Sequence, residues 1–552
     1  MQARTIARHA APWLIIAFAG WVGVAGILPP SPVPADADPA EFSAERAFVH
    51  VEAIAGTDRP IGSPGSTAAR DYLAGELQAM GAAVDLQHFA VPDYFGDGSG
   101  TIAAVNVIGR IPGTDPTGSI VLMGHYDTYP GALGANDAAT AIAAVVETGR
   151  ALLEGPPLRN DVLLVLIDCE EPAPRYGSTA FVEDHPAAGD VGLVLNFEAV
   201  GGAGASLLIE TSGDEWALIG EYAAVHPHPV ANSYFADLTD LLGGSDTDFA
   251  PFRDAGVPGF HFAYLHGSPI YHTPDDDPGS VRLSSLQHHG EHALSLAQHF
   301  GGLDLTDYQG EDEAVYFSLL GETVIRYPAG WGIVFVAAAG LLLAWVLATG
   351  RRAVRLSLPR VAGGAGALLA LALGVAAAID AVWRLLIAVF WGEGGPGVAT
   401  AIVLFVVLLA AAGALTHLGL RGLERRIGGF EMEAGGVLAW WLLAALTAVL
   451  VPGAGYLFLW PAVAATLATG RCVLRGYVAS GWWGRLAAFA LVAVPTVVLT
   501  LPALDAFFQF AQPRPGNLDS QILDMAAAVG LLGALVAGLV LPYLRRALAR
   551  EV

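Results

Sequence analysis

The chain has 552 residues with 52 acidic and 27 basic side chains, none of them lysine, and a formal net charge of −25. That balance excludes nucleic-acid binding, which needs a basic patch against phosphates, and the length leaves room for more than one domain. The charge is unevenly divided: residues 1–328 hold 43 acids and 12 arginines, whereas residues 329–552 hold 9 acids and 15 arginines amid Ala-, Leu-, Val- and Gly-rich runs.

In chain order, Arg4 and Arg8 precede an apolar stretch, 12–28, and a stiff proline-rich linker ending at Pro34. Residues 1–34 read as a membrane anchor and linker; a signal peptide cleaved near Ala35-Asp36-Ala37 is the other reading. Residues 35–310 alternate apolar runs with helical patterns. Strands are predicted at 103–111, 119–124, 162–168, 192–197, 206–209 and 258–264. Helices are predicted at 41–55, 65–80, 138–153, 177–183, 214–225, 246–255 and 284–300. This alternation predicts an α/β domain with a mostly parallel central sheet flanked by helices. A connector, 311–330, then leads to an all-α multispan region, 331–552.

The apolar segments of that region are 331–349, 361–391, 398–418, 434–451, 453–469, 486–501 and 522–544, each near the ~20 residues that cross a bilayer. The 434–469 stretch, divided by Pro452-Gly453, reads as two short spans or one broken element. Arginines collect in alternate connections: Arg351, Arg352, Arg355 and Arg360; Arg421, Arg425 and Arg426; Arg471, Arg475 and Arg485; Arg545, Arg546 and Arg550. The positive-inside rule then gives about seven spans beyond the N-terminal one, both termini cytoplasmic and the acidic domain outside. Missing lysine beside abundant Ala, Gly and Arg points to a GC-rich bacterial source, hence a plasma membrane; a vacuolar or endoplasmic-reticulum membrane is the eukaryotic counterpart. Asp380 and Arg384 share a helix face within a span and read as a structural ion pair. Cys169 and Cys472 fall in different regions, which gives no disulfide framework.

The chemistry concentrates at predicted strand ends. Glu170-Glu171 follows the apolar run 161–169, where two adjacent carboxylates repel and lose hydration unless a cation compensates. His125-Tyr126-Asp127 follows another strand, Asn136-Asp137 precedes a helix, Glu198 ends a third strand, and Tyr271-His272 lies in the last loop. Each alone is ambiguous: His-x-Asp is common, and an Asp at a helix start is usually a cap. Together His125, Asp137, Glu171, Glu198 and His272 make an imidazole–carboxylate set that suits zinc, with cobalt or manganese as alternatives. With one carboxylate bridging, that set suffices for two ions, and Glu170 is left free to move protons. His288 and His292 are four residues apart in a predicted helix and read as part of a solvated face.

The order His-x-Asp, Asn-Asp, Glu-Glu, Glu, Tyr-His-Thr resembles the M28 family of di-zinc aminopeptidases, over about residues 45–300. Pro60-Ile61-Gly62-Ser63-Pro64-Gly65, Gly177-Ser178-Thr179-Ala180-Phe181 and Ser245-Asp246-Thr247-Asp248-Phe249 add to the likeness. A multispan tail is similar to that of vacuolar and endoplasmic-reticulum members. The resemblance implies that Asp137 bridges two zinc ions, His125 and Glu198 complete one site, and Glu171 and His272 the other. It implies Glu170 as general base and acid, and Asp127 as the support of His125. Asp246, Asp248 and Tyr271 would line the substrate pocket; first-turn acids of a helix are the alternative for the two aspartates. Many members carry Asp where this chain has Glu198, and Pro172-Ala173-Pro174-Arg175-Tyr176 departs from the usual loop. The implied function is removal of N-terminal residues from peptides by a membrane-anchored zinc metallopeptidase. Alternatives are an aminoacyl cyclase or carboxypeptidase on the same fold, a non-catalytic binding module, or a transporter accessory domain.

Overall fold

A computed structural model describes residues 2–95, 100–171, 175–225, 228–241, 244–392, 395–475, 481–513 and 525–549. They fall into two compact units: residues 28–327, and a helical unit of the N-terminal helix with the chain beyond 328.

Unit 28–327 is built on seven strands: β1 (Ala83–Pro92), β2 (Thr101–Ile111), β3 (Ser119–His125), β4 (Asp161–Ile167), β5 (Val191–Ala199), β6 (Leu207–Ser212) and β7 (Gly259–Tyr264). Their order is β1-β2-β4-β3-β5-β7-β6. The four central strands β4, β3, β5 and β7 run parallel, and β1, β2 and β6 pair antiparallel at the two edges. The reason for two helical layers is legible in the strands. Ile120 and Leu122 of β3 and Val162, Leu164 and Leu166 of β4 enter one core, while Val121, Met123, Leu163, Val165 and Ile167 enter a second one on the opposite face. Alternate side chains point to opposite faces, so a strand apolar at every position needs cover on both.

Helices α2 (Ala44–Ile54), α3 (Pro64–Ala79), α4 (Ala141–Glu154) and α9 (Leu283–Phe300) cover the first core, and α5 (Tyr176–Asp184) and α8 (Phe249–Asp254) cover the second; α6 (Glu215–Val225) and α7 (Ser233–Leu241) lie between in sequence. Ser63 caps α3 through Ser66 N at 3.0 Å, with Pro64 at the first helical position. The parallel strands end on one side of the sheet, where such folds place their sites.

The structure adds elements to the expected ones and corrects one reading. It adds β1 and α7, which the sequence pattern does not predict. Residues 311–330, expected as a connector, contain a two-stranded hairpin, β8 (Ala314–Leu319) and β9 (Thr323–Pro328). His288 and His292 lie not on a solvated face but fully buried. Their ring nitrogens are satisfied by Ser206 N, His228 O, Ser206 Oγ and Tyr222 OH at 2.8–3.1 Å.

The helical unit contains α1 (Gln2–Ala25), α10 (Trp331–Ala353), α11 (Leu358–Phe390), α12 (Val398–Ile427), α13 (Gly429–Leu450), α14 (Gly455–Arg475), α15 (Gly481–Phe510) and α16 (Met525–Leu548). Seven of these, α10 to α16, are long and apolar enough to cross a membrane. The break at Pro452–Ala454 separates two full helices, α13 and α14. Helix α1 packs along α15, from Arg8 over the Trp482 ring to Gly23 against Leu501. Asp380 and Arg384 pair at 2.7 Å, and Arg550 lies outside the described residues.

Candidate metal centre

Every candidate ligand sits at the carboxyl end of a central strand or in a loop beside it. His125 is the last residue of β3, Glu198 lies near the end of β5, and Glu170-Glu171 follow β4. Cys169, with φ of 69°, turns the chain after β4, a conformation that costs an L-residue about 1–2 kcal/mol. The turn aims the Glu170 and Glu171 N–H groups at Asp127, which accepts them at 3.0 and 3.2 Å. Asp127 also faces His125 Nδ1, with its carbonyl at 3.1 Å and its carboxylate at 3.4 Å. One buried carboxylate thus fixes both the imidazole and the glutamate pair.

Asp137 is not a helix cap. Its backbone is non-helical, inside one π-helical turn (Ala135–Thr140), and the regular helix starts only at Ala141. Gly134 opens that turn at φ of 56°, where a Cβ would lie 2.4 Å from Asp137 O. The Asp276 carboxylate then holds the turn, accepting from Asn136 N at 2.8 Å, Asn136 Nδ2 at 2.7 Å and Asp137 N at 3.1 Å. Arg59, fully buried, donates to the carbonyls of Ile54, Tyr126, Leu133 and Gly134 at 2.7–2.9 Å.

The result is two clusters sharing one residue. His125, Asp137 and Glu198 form the first, and Asp137, Glu171 and His272 the second; within each, the ligand atoms lie within 4.8 Å of one another. His125 Nε2 is 3.3 Å from Asp137 Oδ1 and 3.4 Å from Glu198 Oε2. His272 Nε2 is 3.3 Å from Asp137 Oδ2 and 3.0 Å from Glu171 Oε2. The longer Glu198 therefore reaches the same imidazole that an aspartate would serve. Among the described residues, the buried atoms His125 Nε2, His272 Nε2 and Glu198 Oε1 make no well-aligned hydrogen bond, although carboxylate oxygens lie 3.0–3.4 Å from the two imidazole nitrogens, and buried polar atoms seldom stay so. These atoms and the donor chemistry fit zinc.

The electrostatics agree. Burial opposes protonation of both imidazoles, yet Glu198, Asp127 and Asp137 raise His125 well above its ordinary range. Asp137 and Glu171 likewise push His272 up to about 10. Burial would raise Asp137, but the two histidines hold it near about 2. Glu171 is pushed up by burial and by Asp137. A ligating histidine must be neutral, so a cation between these atoms replaces the protons they otherwise attract.

Glu170 belongs to neither cluster. It is buried, burial pushes its carboxyl well above the usual range, and Arg175 Nε lies 3.0 Å from Oε1. Arg175 also pairs with Asp246 at 2.9 Å; Pro172-Ala173-Pro174 lie outside the described residues. Asp246 is exposed on the segment before α8, whereas Asp248 is fully buried. Asp248 precedes α8 but makes no cap bond; burial pushes the group to about 7, with Ser178 opposing the shift. Tyr271 stacks on His272 with ring centroids 3.7 Å apart, and Tyr129 covers the other face at 4.7 Å. His261 is buried against Asn196, outside both clusters. Arg59, Asp276 and Arg175 contribute to the site without a role assigned from the sequence, although Arg175 falls in the unusual loop and Asp276 beside the Tyr271-His272 motif. Asp276 follows Tyr271-His272 by only a few residues, but nothing local marks the partner of a long-range hydrogen bond.

Residues 106–297 match peptidase family M28. The chain is 28% identical over 257 residues to endoplasmic reticulum metallopeptidase 1 of Mus musculus, covering 45% of this chain and 28% of that protein. It is 29% identical over 218 residues to the vacuolar membrane protease of Candida dubliniensis, covering 39% of this chain and 23% of that protein. The chain thus spans about a quarter of the length of these curated relatives. Among solved structures, the aminopeptidase from Aneurinibacillus sp. strain AM-1 is similar at 15% identity and a TM-score of 0.39, covering 47% of this chain and 94% of that one.

Proposed function

We propose that the M28 domain matched over residues 106–297 is a membrane-held zinc aminopeptidase, removing N-terminal residues from peptides on the side of the membrane away from the arginine-rich connections. One observation carries the reading: the two oxygens of Asp137 face different histidines, each through a buried nitrogen that makes no well-aligned hydrogen bond among the described residues. His125, Asp137 and Glu198 would hold one ion, and Asp137, Glu171 and His272 a second. Zinc there supplies a Lewis acid for the scissile carbonyl and lowers the pKa of water.

The chain's own groups do the rest. Glu170, outside both ligand sets, takes the proton of the attacking water at its carboxylate and returns it to the leaving amine. Its raised proton affinity suits that exchange. Asp127 keeps Glu170 in place through the backbone N–H at 3.0 Å. Tyr271 keeps its phenolic proton, because burial and the carboxylates of Asp137 and Glu171 oppose ionisation. It can therefore donate to the oxyanion as it forms. The cationic N-terminus of a peptide suits a site so rich in carboxylates, Asp248 among them.

The test is metal content and hydrolysis of aminoacyl reporters by the purified full chain, with and without chelator, with products weighed by mass spectrometry. Loss of a residue supports the reading. Loss of ammonia instead assigns the domain to cyclisation, and chelator-insensitive turnover overturns the metal role.

A further inference from the structure

At the end of β5, on the face of the sheet that α9 covers, a line of polar side chains lies fully buried: Tyr222 of α6, Ser206 just before β6, and His289 and His292 of α9. The line runs from one main-chain group to another. Val230 N donates to Tyr222 OH at 3.1 Å, and Tyr222 OH lies 3.0 Å from His292 Nε2. His292 Nδ1 is 3.0 Å from Ser206 Oγ, which is 2.7 Å from His289 Nδ1. His289 Nε2 ends the line, 3.0 Å from the carbonyl oxygen of Glu198.

Each proton in this line has one place. A carbonyl can only accept, so His289 carries its proton on Nε2. Burial lowers His289 to about 3, so the ring is neutral and its Nδ1 is bare. Ser206 therefore gives its one proton to that nitrogen and must accept from His292 Nδ1. The other end of the line meets this assignment. Val230 N can only donate to the phenol oxygen, and burial pushes Tyr222 up, which keeps the phenol protonated. That proton is directed at His292 Nε2, which is accordingly bare. Phe262 stacks on His292 with centroids 4.2 Å apart, and Tyr264 meets His289 at 5.0 Å. A ring turning over to offer its other nitrogen would have to displace these neighbours.

The line ends on a candidate ligand at a place where the sheet gives it less support. β5 pairs with β3 only as far as Asn196, whereas Glu198 pairs with Ala263 of β7. There His289 meets the strand twice, through its N–H on Glu198 O and through its ring edge-on to Phe197 at 5.4 Å. We propose that His289 is a positioning residue for the first metal cluster: its Nε2–H holds the main chain at Glu198, and Ser206, His292 and Tyr222 keep the proton on that nitrogen. This inference rests on the metal reading of the site and extends it to residues that belong to neither ligand cluster. The far-side hydrogen bond of a histidine sets which nitrogen is protonated, and support behind a ligand tunes the affinity of the metal.

The test is zinc competition against a chelator of known affinity, on the purified full chain and on its His289→Leu and His289→Gln variants. Glutamine keeps an N–H near the place of Nε2, whereas leucine keeps only apolar volume. The leucine variant is expected to weaken one zinc site by about tenfold or more and to leave the other within about twofold. The glutamine variant should restore the affinity of the parent chain. Equal loss in both variants would reduce the ring to a packing element, and unchanged zinc binding in the leucine variant would overturn the role of His289 alone. A parent chain that takes up no zinc would overturn the metal reading, and this inference with it. If the leucine variant does not fold, NMR of isotope-labelled histidine nitrogens in the unmodified chain decides: His289 should be protonated at Nε2 and His292 at Nδ1, and the opposite tautomer in either would break the line.

Discussion

Asp276→Asn is the sharpest probe of how the shared ligand is held. The change is isosteric, opens no cavity and alters none of the five candidate ligand side chains. Asp276 accepts three N–H groups, at 2.8, 2.7 and 3.1 Å, from Asn136 and Asp137. An asparagine has one acceptor oxygen and an amide that is itself a donor, so at least one of these N–H groups must face an N–H. A hydrogen bond to a charged acceptor is worth about 1.5–3 kcal/mol. Much of that loss falls on the turn that presents Asp137, and about 1.4 kcal/mol is a factor of ten in affinity. Zinc affinity should therefore weaken about 10- to 100-fold, the range expected when the support of a ligand is removed. The assay is competition of zinc against a chelator of known affinity at pH 8, above the value of about 6 to which burial pushes Asp276. Zinc affinity within twofold of the parent protein would refute the argument that Asp276 sets the Asp137 geometry.

Other outcomes follow from the same geometry. Glu170→Gln should keep its metal and lose turnover by about 10²–10⁴-fold, whereas Glu171→Ala or His272→Ala should lower metal content as measured by elemental analysis. His261 and His288 are buried, and burial lowers them to about 3 and about 4. The unfolded chain then binds more protons below its ordinary value of about 6.5. The stabilisation is complete above that pH and is lost as pH falls toward 4, a tenfold difference in proton affinity being worth about 1.4 kcal/mol. Denaturation midpoints should drop between pH 7 and pH 4.5, and a His288→Asn variant should show a shallower slope. Gly290→Ala places a Cβ 2.1 Å from the Phe42 ring. This overpacking should cost about 1–3 kcal/mol in thermal unfolding without altering metal stoichiometry.

The strands that carry the site are readable because parallel strands covered on both faces are apolar throughout; β3 and β4 are buried at every position. β1 is hidden for the opposite reason. It is an edge strand, mostly exposed or half-exposed along its length, so it offers no apolar run. The five candidate ligands are readable because strand ends concentrate chemistry in a parallel sheet. Their supports are not. Asp276 and Asn136 are 140 residues apart, as are Asn160 and Phe300 in the adjoining core, and no local pattern announces such a partner. The start of α4 falls later than expected because the π-helical turn ahead of it has the composition of a helix.

The grip of Arg59 has a consequence for variation. Its guanidinium holds the carbonyls of residues 54, 126, 133 and 134, and every amino acid carries a carbonyl. A clamp of this kind fixes the path of the chain without reading the side chains of the clamped residues, although Gly134 is held to glycine by its own positive φ and close contacts. The loop around the metal centre can therefore exchange side chains, and with them preference for one substrate or another, while one arginine outside both ligand clusters keeps its course unchanged.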